Sequence, residues 1–275
     1  MEFLFYLTMC IAGAVAGVTT GLFGIGGGFI VVPALLLTLP WFSAEEASLI
    51  YVAIGTSLAS IIVSSLRAVQ AHHARGAVDF AVLRDWAPWL VAGVCVGLYL
   101  ASLTDGKQLL LVFAIGVLLY SSYFLLPGLF ANFGTSLQMP TGFARAGLAS
   151  ALGGFSALLG IGGGTITVVT MVMCNRPVHQ AVGTAAGVGF IIALPGTAGF
   201  LIMGLNATAL PQGSIGYINM PALLAIALMS VFTAPLGARL AHRLNEAHLK
   251  RLFGGYLLLV SLTMFYKSGV FPVTA

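Results

Sequence analysis

The sequence predicts an all-α membrane protein that crosses the bilayer several times, and three observations predict it. Hydrophobic residues make up 59% of the 275 residues and charged residues only 7%, whereas a soluble domain carries about 25% charged residues. Apolar stretches of about 20 residues, the length that a helix needs to cross hydrocarbon, recur along the chain. The motif Gly-Ile-Gly-Gly-Gly interrupts two of them, at 24–28 and 160–164. A water-facing protein is therefore excluded, in agreement with the mean hydropathy of +1.06.

The apolar segments can be placed in order along the chain. They are 3–23, 29–40, 46–66, 84–103, 108–127, 141–159, 165–175, 178–205, 218–242 and 250–272. Segments 29–40 and 165–175 are too short to span the hydrocarbon, and each directly follows a glycine motif. Each motif therefore predicts either a kinked helix or a re-entrant hairpin, and the sequence leaves both open.

The two halves of the chain resemble each other beyond the glycine motifs. Ile54-Gly55-Thr56-Ser57 is similar to Val182-Gly183-Thr184-Ala185, and Gly97 and Phe113 match Gly237 and Phe253 at one constant offset. We expect a first membrane repeat at 1–127, a linker with turn-forming residues at 128–140, and a second repeat at 141–275. Each repeat would contain about four spans.

The basic residues predict the orientation of the segments, because lysine and arginine favour cytoplasmic loops. We place the 67–83 loop in the cytoplasm and treat each glycine-broken pair as a hairpin. Of the 11 Lys and Arg residues, only Lys107 and Lys267 then lie outside. The halves become inverted repeats with both termini outside. In the alternative, each glycine-broken pair crosses the membrane once as a kinked helix, and the two halves share one orientation. The basic 67–83 loop and its uncharged counterpart 206–217 differ in charge, which favours inverted halves.

The glycine motifs predict a site for a small anion. Helices that begin at Phe29 and Thr165 would present unpaired N–H groups and the positive ends of their dipoles. Two such ends facing each other near the middle of the bilayer would bind an oxyanion. The candidate substrate-binding residues are Gly24, Gly26, Gly27, Gly28, Phe29, Thr20, Thr56, Ser57, Gly160, Gly162, Gly163, Gly164, Thr165 and Thr184. In the alternative, the glycines only permit close helix packing and the hydroxyls bond their own helices.

Other polar residues indicate structural roles. Asp79 and Asn219 precede apolar segments and are interpreted as helix N-caps, and the His72-His73 pair is interpreted as part of a solvated loop. The sequence shows no clustered carboxylates, histidines or cysteines and no ATP-binding loop. We therefore expect no catalytic residues, no metal site, no cofactor and no enzymatic activity. The scattered positive charge makes a nucleic-acid partner unexpected.

The residues around both motifs resemble the sulfite exporter TauE/SafE family of membrane proteins. They are the stretches 17–28, ending in Val32-Pro33, and 153–164, together with Gly55-Thr56-Ser57 and the stretch 75–79. The second copy has Val169 where the first has Pro33. The resemblance implies transport of a small sulfur-containing oxyanion, such as sulfite, a sulfonate or sulfoacetate, across a bacterial inner membrane.

We expect a secondary transporter that works by alternating access between inverted halves. Two other functions stay open, an anion channel and a membrane scaffold without transport activity. A homodimer in the bilayer is an open alternative to a single chain.

Overall fold

The computed structural model describes residues 2–42, 46–126, 138–241 and 246–269, and helices dominate these ranges. The helices are α1 (Glu2–Phe23), α2 (Gly28–Thr38), α3 (Glu46–His73), α4 (Phe80–Leu103), α5 (Gly106–Leu125), α6 (Gly142–Leu159), α7 (Gly164–Met173), α8 (Val178–Gly204), α9 (Met220–Leu240) and α10 (Glu246–Lys267). A 3₁₀ turn (Leu39–Trp41) follows α2, and a two-stranded antiparallel hairpin, β1 (Ser214–Ile215) and β2 (Ile218–Asn219), precedes α9.

Seven of the described helices, namely α1, α3, α4, α5, α6, α8 and α9, are long and apolar enough to cross a membrane. The two helices that follow the glycine motifs are shorter, with 11 residues in α2 and 10 in α7. The all-α, multi-pass fold class predicted from the sequence is therefore confirmed. Most of the predicted linker lies outside the described residues, which stop at 126 and resume at 138.

One predicted loop is too long. The sequence predicts a solvated loop at 67–83, but α3 extends to His73 and α4 begins at Phe80, which leaves only 74–79 as the connection. The His72 side chain is fully buried, and its Nε2 lies 3.0 Å from the carbonyl oxygen of Gly21 on α1. A polar stretch can stay helical there because its side chains find partners on neighbouring helices.

Helix capping follows the sequence interpretation more closely. The Asp79 carboxylate accepts hydrogen bonds from the N–H groups of Ala81 and Val82 at the start of α4. The Asn219 side chain accepts one from the N–H of Ala222 at the start of α9. Both residues satisfy N–H groups that a helix start otherwise leaves unpaired.

Small residues bring helices from different halves of the chain into backbone contact. A Cβ on Gly13 would lie 2.5 Å from the carbonyl oxygen of Ile226, so α1 and α9 touch at the backbone. A Cβ on Gly93 would lie 2.0 Å from the carbonyl oxygen of Ser150, which joins α4 to α6 in the same way. α3 packs on α8, and α5 packs on α10. In the order of the chain, α1, α3, α4 and α5 of the first half correspond to α6, α8, α9 and α10 of the second. The α1–α9 pair therefore corresponds to the α6–α4 pair, and the α3–α8 and α5–α10 pairs each join corresponding helices.

The chain reverses at the first glycine break, which is the motif at 24–28. Gly27 lies against α1, where its Cβ would stand 2.4 Å from the Cβ of Ala16. At the far end of α2, the Phe42 ring packs edge-on to the Phe5 ring at 5.1 Å between centroids. Since Phe5 lies in the first turns of α1, the pair forms a hairpin rather than one kinked helix.

The second glycine break, at 160–164, also forms a hairpin. Gly163 lies against α6, with its Cβ position 3.3 Å from the Cδ1 of Leu152. Arg145 in the first turn of α6 forms an ion pair of 2.7 Å with Asp85, and Arg176 after α7 lies 3.9 Å from Asp79. Both ends of this hairpin therefore lie beside the start of α4.

Candidate functional site

The two glycine breaks contact each other in the core of the bundle. A Cβ on Gly26 would lie 3.1 Å from the Cα of Gly162. A Cβ on Gly28 would lie 2.1 Å from the carbonyl oxygen of Gly160, and one on Gly164 only 1.9 Å from that of Gly24. A larger residue at Gly28 or Gly164 would collide with the opposite backbone, and one at Gly26 would make a tight contact, so the repeated glycines let the two breaks cross.

Left-handed backbone conformations turn the chain at both breaks. The φ angles of Gly24 and Gly26 are 66° and 77°, and those of Gly160 and Gly163 are 64° and 65°. Residues with a Cβ disfavour this conformation. The first left-handed position is equivalent in the two motifs, but the second falls one residue later in the second break. The two turns are therefore similar without being identical.

Each break ends in a helix start whose first N–H groups lack acceptors among the described residues. In the first break, the described residues provide no hydrogen-bond acceptor for the N–H groups of Gly27, Gly28 and Phe29. In the second break, the same is true for those of Gly164 and Thr165. All of these residues are buried. Such N–H groups and the positive ends of α2 and α7 together favour a bound anion.

Two buried hydroxyls beside the second break also lack partners. The Thr165 side chain, which is 5% exposed, has no hydrogen-bond partner for Oγ1 among the described residues, and neither has the fully buried Oγ of Ser156. The Cβ position of Gly163 lies 2.9 Å from that Ser156 Oγ. Ser156 was not among the predicted site residues, although it lies only four residues before the second motif in sequence.

The other predicted hydroxyls have partners. Thr20 Oγ1 donates to the carbonyl oxygen of Ala16 on its own helix at 2.7 Å. Ser57 Oγ donates to the carbonyl oxygen of Gly160 at 2.8 Å, so it holds the second break from α3. The structure thus brings Ser57 to a glycine break and directs the Thr20 hydroxyl to its own helix.

Thr56 and Thr184 bind helix starts from the opposite half of the chain. Thr56 Oγ1 accepts a hydrogen bond from the N–H of Asn219 at 2.8 Å, and Thr184 Oγ1 accepts one from the N–H of Asp79 at 2.9 Å. Both threonines are fully buried. Each therefore positions the N-cap residue of α9 or α4, and their predicted contact with a substrate stays a prediction.

Phe29, at the start of α2, lies in an aromatic cluster. Its ring packs edge-on to Tyr120 at 4.8 Å between centroids, and the Tyr256 hydroxyl donates to its carbonyl oxygen at 3.3 Å. Phe29 is fully buried. The first helix start is thus fixed by aromatic side chains from α5 and α10.

A small cavity lies beside the crossed breaks, with a volume of about 30 Å³. Ile25 of the first break and Thr165 of the second both line it. The rest of its wall is mostly apolar and comes from Leu22, Phe23, Tyr123, Phe124, Val168, Val178 and Val182. A volume of this size holds about two water molecules.

Two broken hairpins that meet at the centre of an apolar, multi-pass bundle are typical of membrane transporters, whose binding sites lie at discontinuous helices. The comparisons with known proteins agree. The model of the sulfite exporter TauE/SafE family matches residues 9–264, and the chain belongs to this family. It is a family of membrane transporters and not of enzymes.

Relatives from distant organisms cover almost the same length. A probable membrane transporter protein of Haemophilus influenzae is 33% identical over 96% of this chain and 100% of its own length. A probable membrane transporter protein of Methanocaldococcus jannaschii is 26% identical over 96% of this chain and 97% of its own. The probable membrane transporter protein YunE of Bacillus subtilis is 25% identical over 97% and 99%. No solved structure matches this chain.

Proposed function

We propose that this protein is a secondary transporter that moves a small sulfur-containing oxyanion across the membrane by alternating access. The observation that carries the proposal is the crossing of the two glycine breaks. The helix starts with unpaired N–H groups and the unpartnered hydroxyl of Thr165 belong to these two breaks, which contact each other in the core. An oxyanion with several acceptor oxygens satisfies such donors without a buried cation. The family description, sulfite exporter, supports a sulfur oxyanion such as sulfite, a sulfonate or sulfoacetate.

We propose further that the two halves are inverted repeats. The first hairpin opens beside Phe42, which precedes the start of α3, whereas the second opens beside Asp79, which follows the end of α3. The two hairpins thus enter from opposite ends of a 28-residue helix. Arg67, Arg75 and the arginines beside α4 lie at the second end, so the positive-inside rule supports a cytoplasmic position for it.

Both chain termini belong at the opposite, outer end in this proposal. Lys267 at the end of α10 donates to the carbonyl oxygen of Leu36 near the end of α2, which is the end where the first hairpin opens. α1 begins there too, since Phe5 contacts Phe42. A bacterial inner membrane and a homodimer remain predictions of the sequence.

Alternating access needs groups of helices that move as rigid units relative to each other. The backbone contacts of α1 with α9 and of α4 with α6 hold each pair together as one such unit. α3 and α8 lie between these pairs and contact both sides through α9 and α4. With a central cavity of only about 30 Å³, this conformation supports a carrier with a closed centre more than an open anion channel.

The experiment is a flux assay in liposomes that contain the purified full chain. Labelled sulfite and sulfoacetate should enter in a saturable, protein-dependent manner, and unlabelled anion inside should accelerate entry by counterflow. Absence of protein-dependent flux for every sulfur oxyanion would contradict the substrate class. Flux without counterflow would indicate a channel instead.

A matched pair of variants tests the site itself. Thr165→Val removes a buried hydroxyl that has no partner, so folding stability should be unchanged or slightly higher while flux falls about tenfold or more. Thr170→Val, on the same helix, removes a hydroxyl that bonds only the Ile166 carbonyl oxygen at 2.8 Å. It should leave the flux unchanged. Equal flux through both variants would contradict a role for Thr165 in anion binding.

A further inference from the structure

A basic groove lies between the ends of α3 and α9, away from the glycine breaks. Its volume is about 440 Å³. Three arginines line it: Arg67 from the last two turns of α3, Arg75 from the turn that follows α3, and Arg239 from the last turn of α9. The lining residues are Arg67, Gln70, Ala71, Ala74, Arg75, Pro235 and Arg239. Three guanidinium groups around one open groove concentrate positive charge at the proposed cytoplasmic end of the bundle.

The hydrogen bonds found for the groove arginines go to neutral oxygens. Arg67 donates to the side-chain oxygen of Gln70 at 2.9 Å and to the carbonyl oxygen of Val231 at 3.5 Å. Arg75 donates to the carbonyl oxygen of Ala71 at 2.6 Å. Within the described part of the chain, no carboxylate lies within 4.0 Å of Arg67, Arg75 or Arg239.

Other arginines at the same end differ in this respect. Arg84 and Arg145 share Asp85 at 3.7 and 2.7 Å, and Arg176 lies 3.9 Å from Asp79. In the groove, the C-terminal ends of the two helices contribute about half a negative charge each. Among the described residues, the three positive guanidinium groups exceed these partial negative charges, so this part of the groove attracts an anion.

Exposed apolar residues lie close in sequence to the groove-lining residues on both helices. Leu66 on α3 is 42% exposed, and Leu236 and Phe232 on α9 are 48% and 65% exposed. An occupant that uses both surfaces has a charged head and an apolar tail. Guanidinium groups bind phosphate in a fork-like geometry, and basic pockets between helix ends on the cytoplasmic side bind anionic lipid headgroups.

We propose that this groove binds the phosphate headgroup of an anionic phospholipid whose acyl chains lie along Leu66, Leu236 and Phe232. The site is distinct from the glycine breaks, and it does not depend on the proposed transport function. A bound lipid would also join α3 to α9, the helix that the structure pairs with α1.

The test measures phospholipid binding to the purified full chain by native mass spectrometry and by thermal unfolding. Phosphatidylglycerol should bind and stabilise the protein, whereas zwitterionic phosphatidylcholine should bind at least tenfold more weakly. Each of Arg67→Gln, Arg75→Gln and Arg239→Gln should weaken phosphatidylglycerol binding about fivefold, the loss expected for one basic residue at a membrane surface. Arg84→Gln, which removes the same charge from a solvent-exposed position with its own carboxylate partner, should leave the affinity unchanged.

Two further measurements distinguish a lipid headgroup from free phosphate and control for misfolded variants. Inorganic phosphate and glycerol phosphate should not stabilise the protein at concentrations where phosphatidylglycerol does; equal stabilisation would show a free-phosphate site and overturn the lipid proposal. Without lipid, the Gln variants should unfold at or above the wild-type temperature, because removal of one positive charge reduces the repulsion between the groove arginines. Arg75→Lys keeps the positive charge but loses the two-pronged hydrogen bonding of the guanidinium group. Its affinity for phosphatidylglycerol should therefore fall less than that of Arg75→Gln. Unchanged phosphatidylglycerol binding in all groove variants would refute the proposal.

Discussion

Gly164→Ala would place a methyl group against the backbone of the first glycine break. Its Cβ would lie 1.9 Å from the carbonyl oxygen of Gly24 and 2.5 Å from the Cα of Ile25, whereas ordinary contacts begin near 3.4 Å. The breaks would have to separate by about 1.5 Å, and backbone atoms in a packed core have little freedom to do so. Overpacking of this kind costs about 3 kcal/mol, which lowers the unfolding temperature by roughly 6–12 °C.

The assay is thermal unfolding of the purified protein in detergent, with two alanine variants for comparison. Gly147→Ala, in α6, meets nothing within 4 Å and should stabilise its helix by about 0.5–1 kcal/mol. Gly163→Ala forces a φ of 65° on a residue with a Cβ, but its neighbours there are side-chain atoms that can move. The Gly163→Ala variant should lose about 1–2 kcal/mol of folding stability. A Gly164→Ala protein as stable as Gly147→Ala would refute the contact between the two breaks.

Three further predictions address other parts of the structure. Thr56→Val and Thr184→Val should each destabilise the protein by about 1–3 kcal/mol in thermal unfolding, because a buried N–H at the start of α9 or α4 loses its acceptor; Thr→Ser at either position should restore most of the loss. Asp85→Asn should cost less than about 1 kcal/mol despite its 2.7 Å contact with Arg145, since the Asp85 side chain is 44% exposed. Single cysteines that replace Arg84 and Lys107 in a cysteine-free background should react with a membrane-impermeant maleimide from opposite sides, Arg84→Cys from the cytoplasm; labelling from one side only would contradict the proposed topology.

Much of the fold follows from the sequence because hydrocarbon permits few backbone solutions. The lengths of the apolar stretches predict where the spanning helices lie, and the glycine motifs predict where the two short helices begin. The extension of α3 to His73 was missed because arginine and histidine near the bilayer boundary resemble a loop. The His72 ring is buried in this helix with its Nε2 against the Gly21 carbonyl oxygen on α1, which lies far away in sequence.

The candidate site could be predicted in part. The position of the glycine breaks and the unpaired N–H groups follow from local rules for glycine and helix starts. The partners of the hydroxyls do not follow from local rules, because Thr56, Ser57 and Thr184 form hydrogen bonds with backbone atoms of the other half of the chain. Ser156 was overlooked for the converse reason, since only the packing shows its hydroxyl to be buried without a partner beside Gly163.

The most direct test is an experimental structure of the protein with selenite, a heavier analogue of sulfite that gives an anomalous signal. We predict a selenium peak beside the crossed breaks, with its oxygens about 3 Å from the N–H groups of Gly28 and Thr165. Thr165→Val should weaken the peak. A map without a peak beside the breaks at saturating selenite, in a protein that still transports sulfite, would contradict the account, whether or not selenium appears elsewhere.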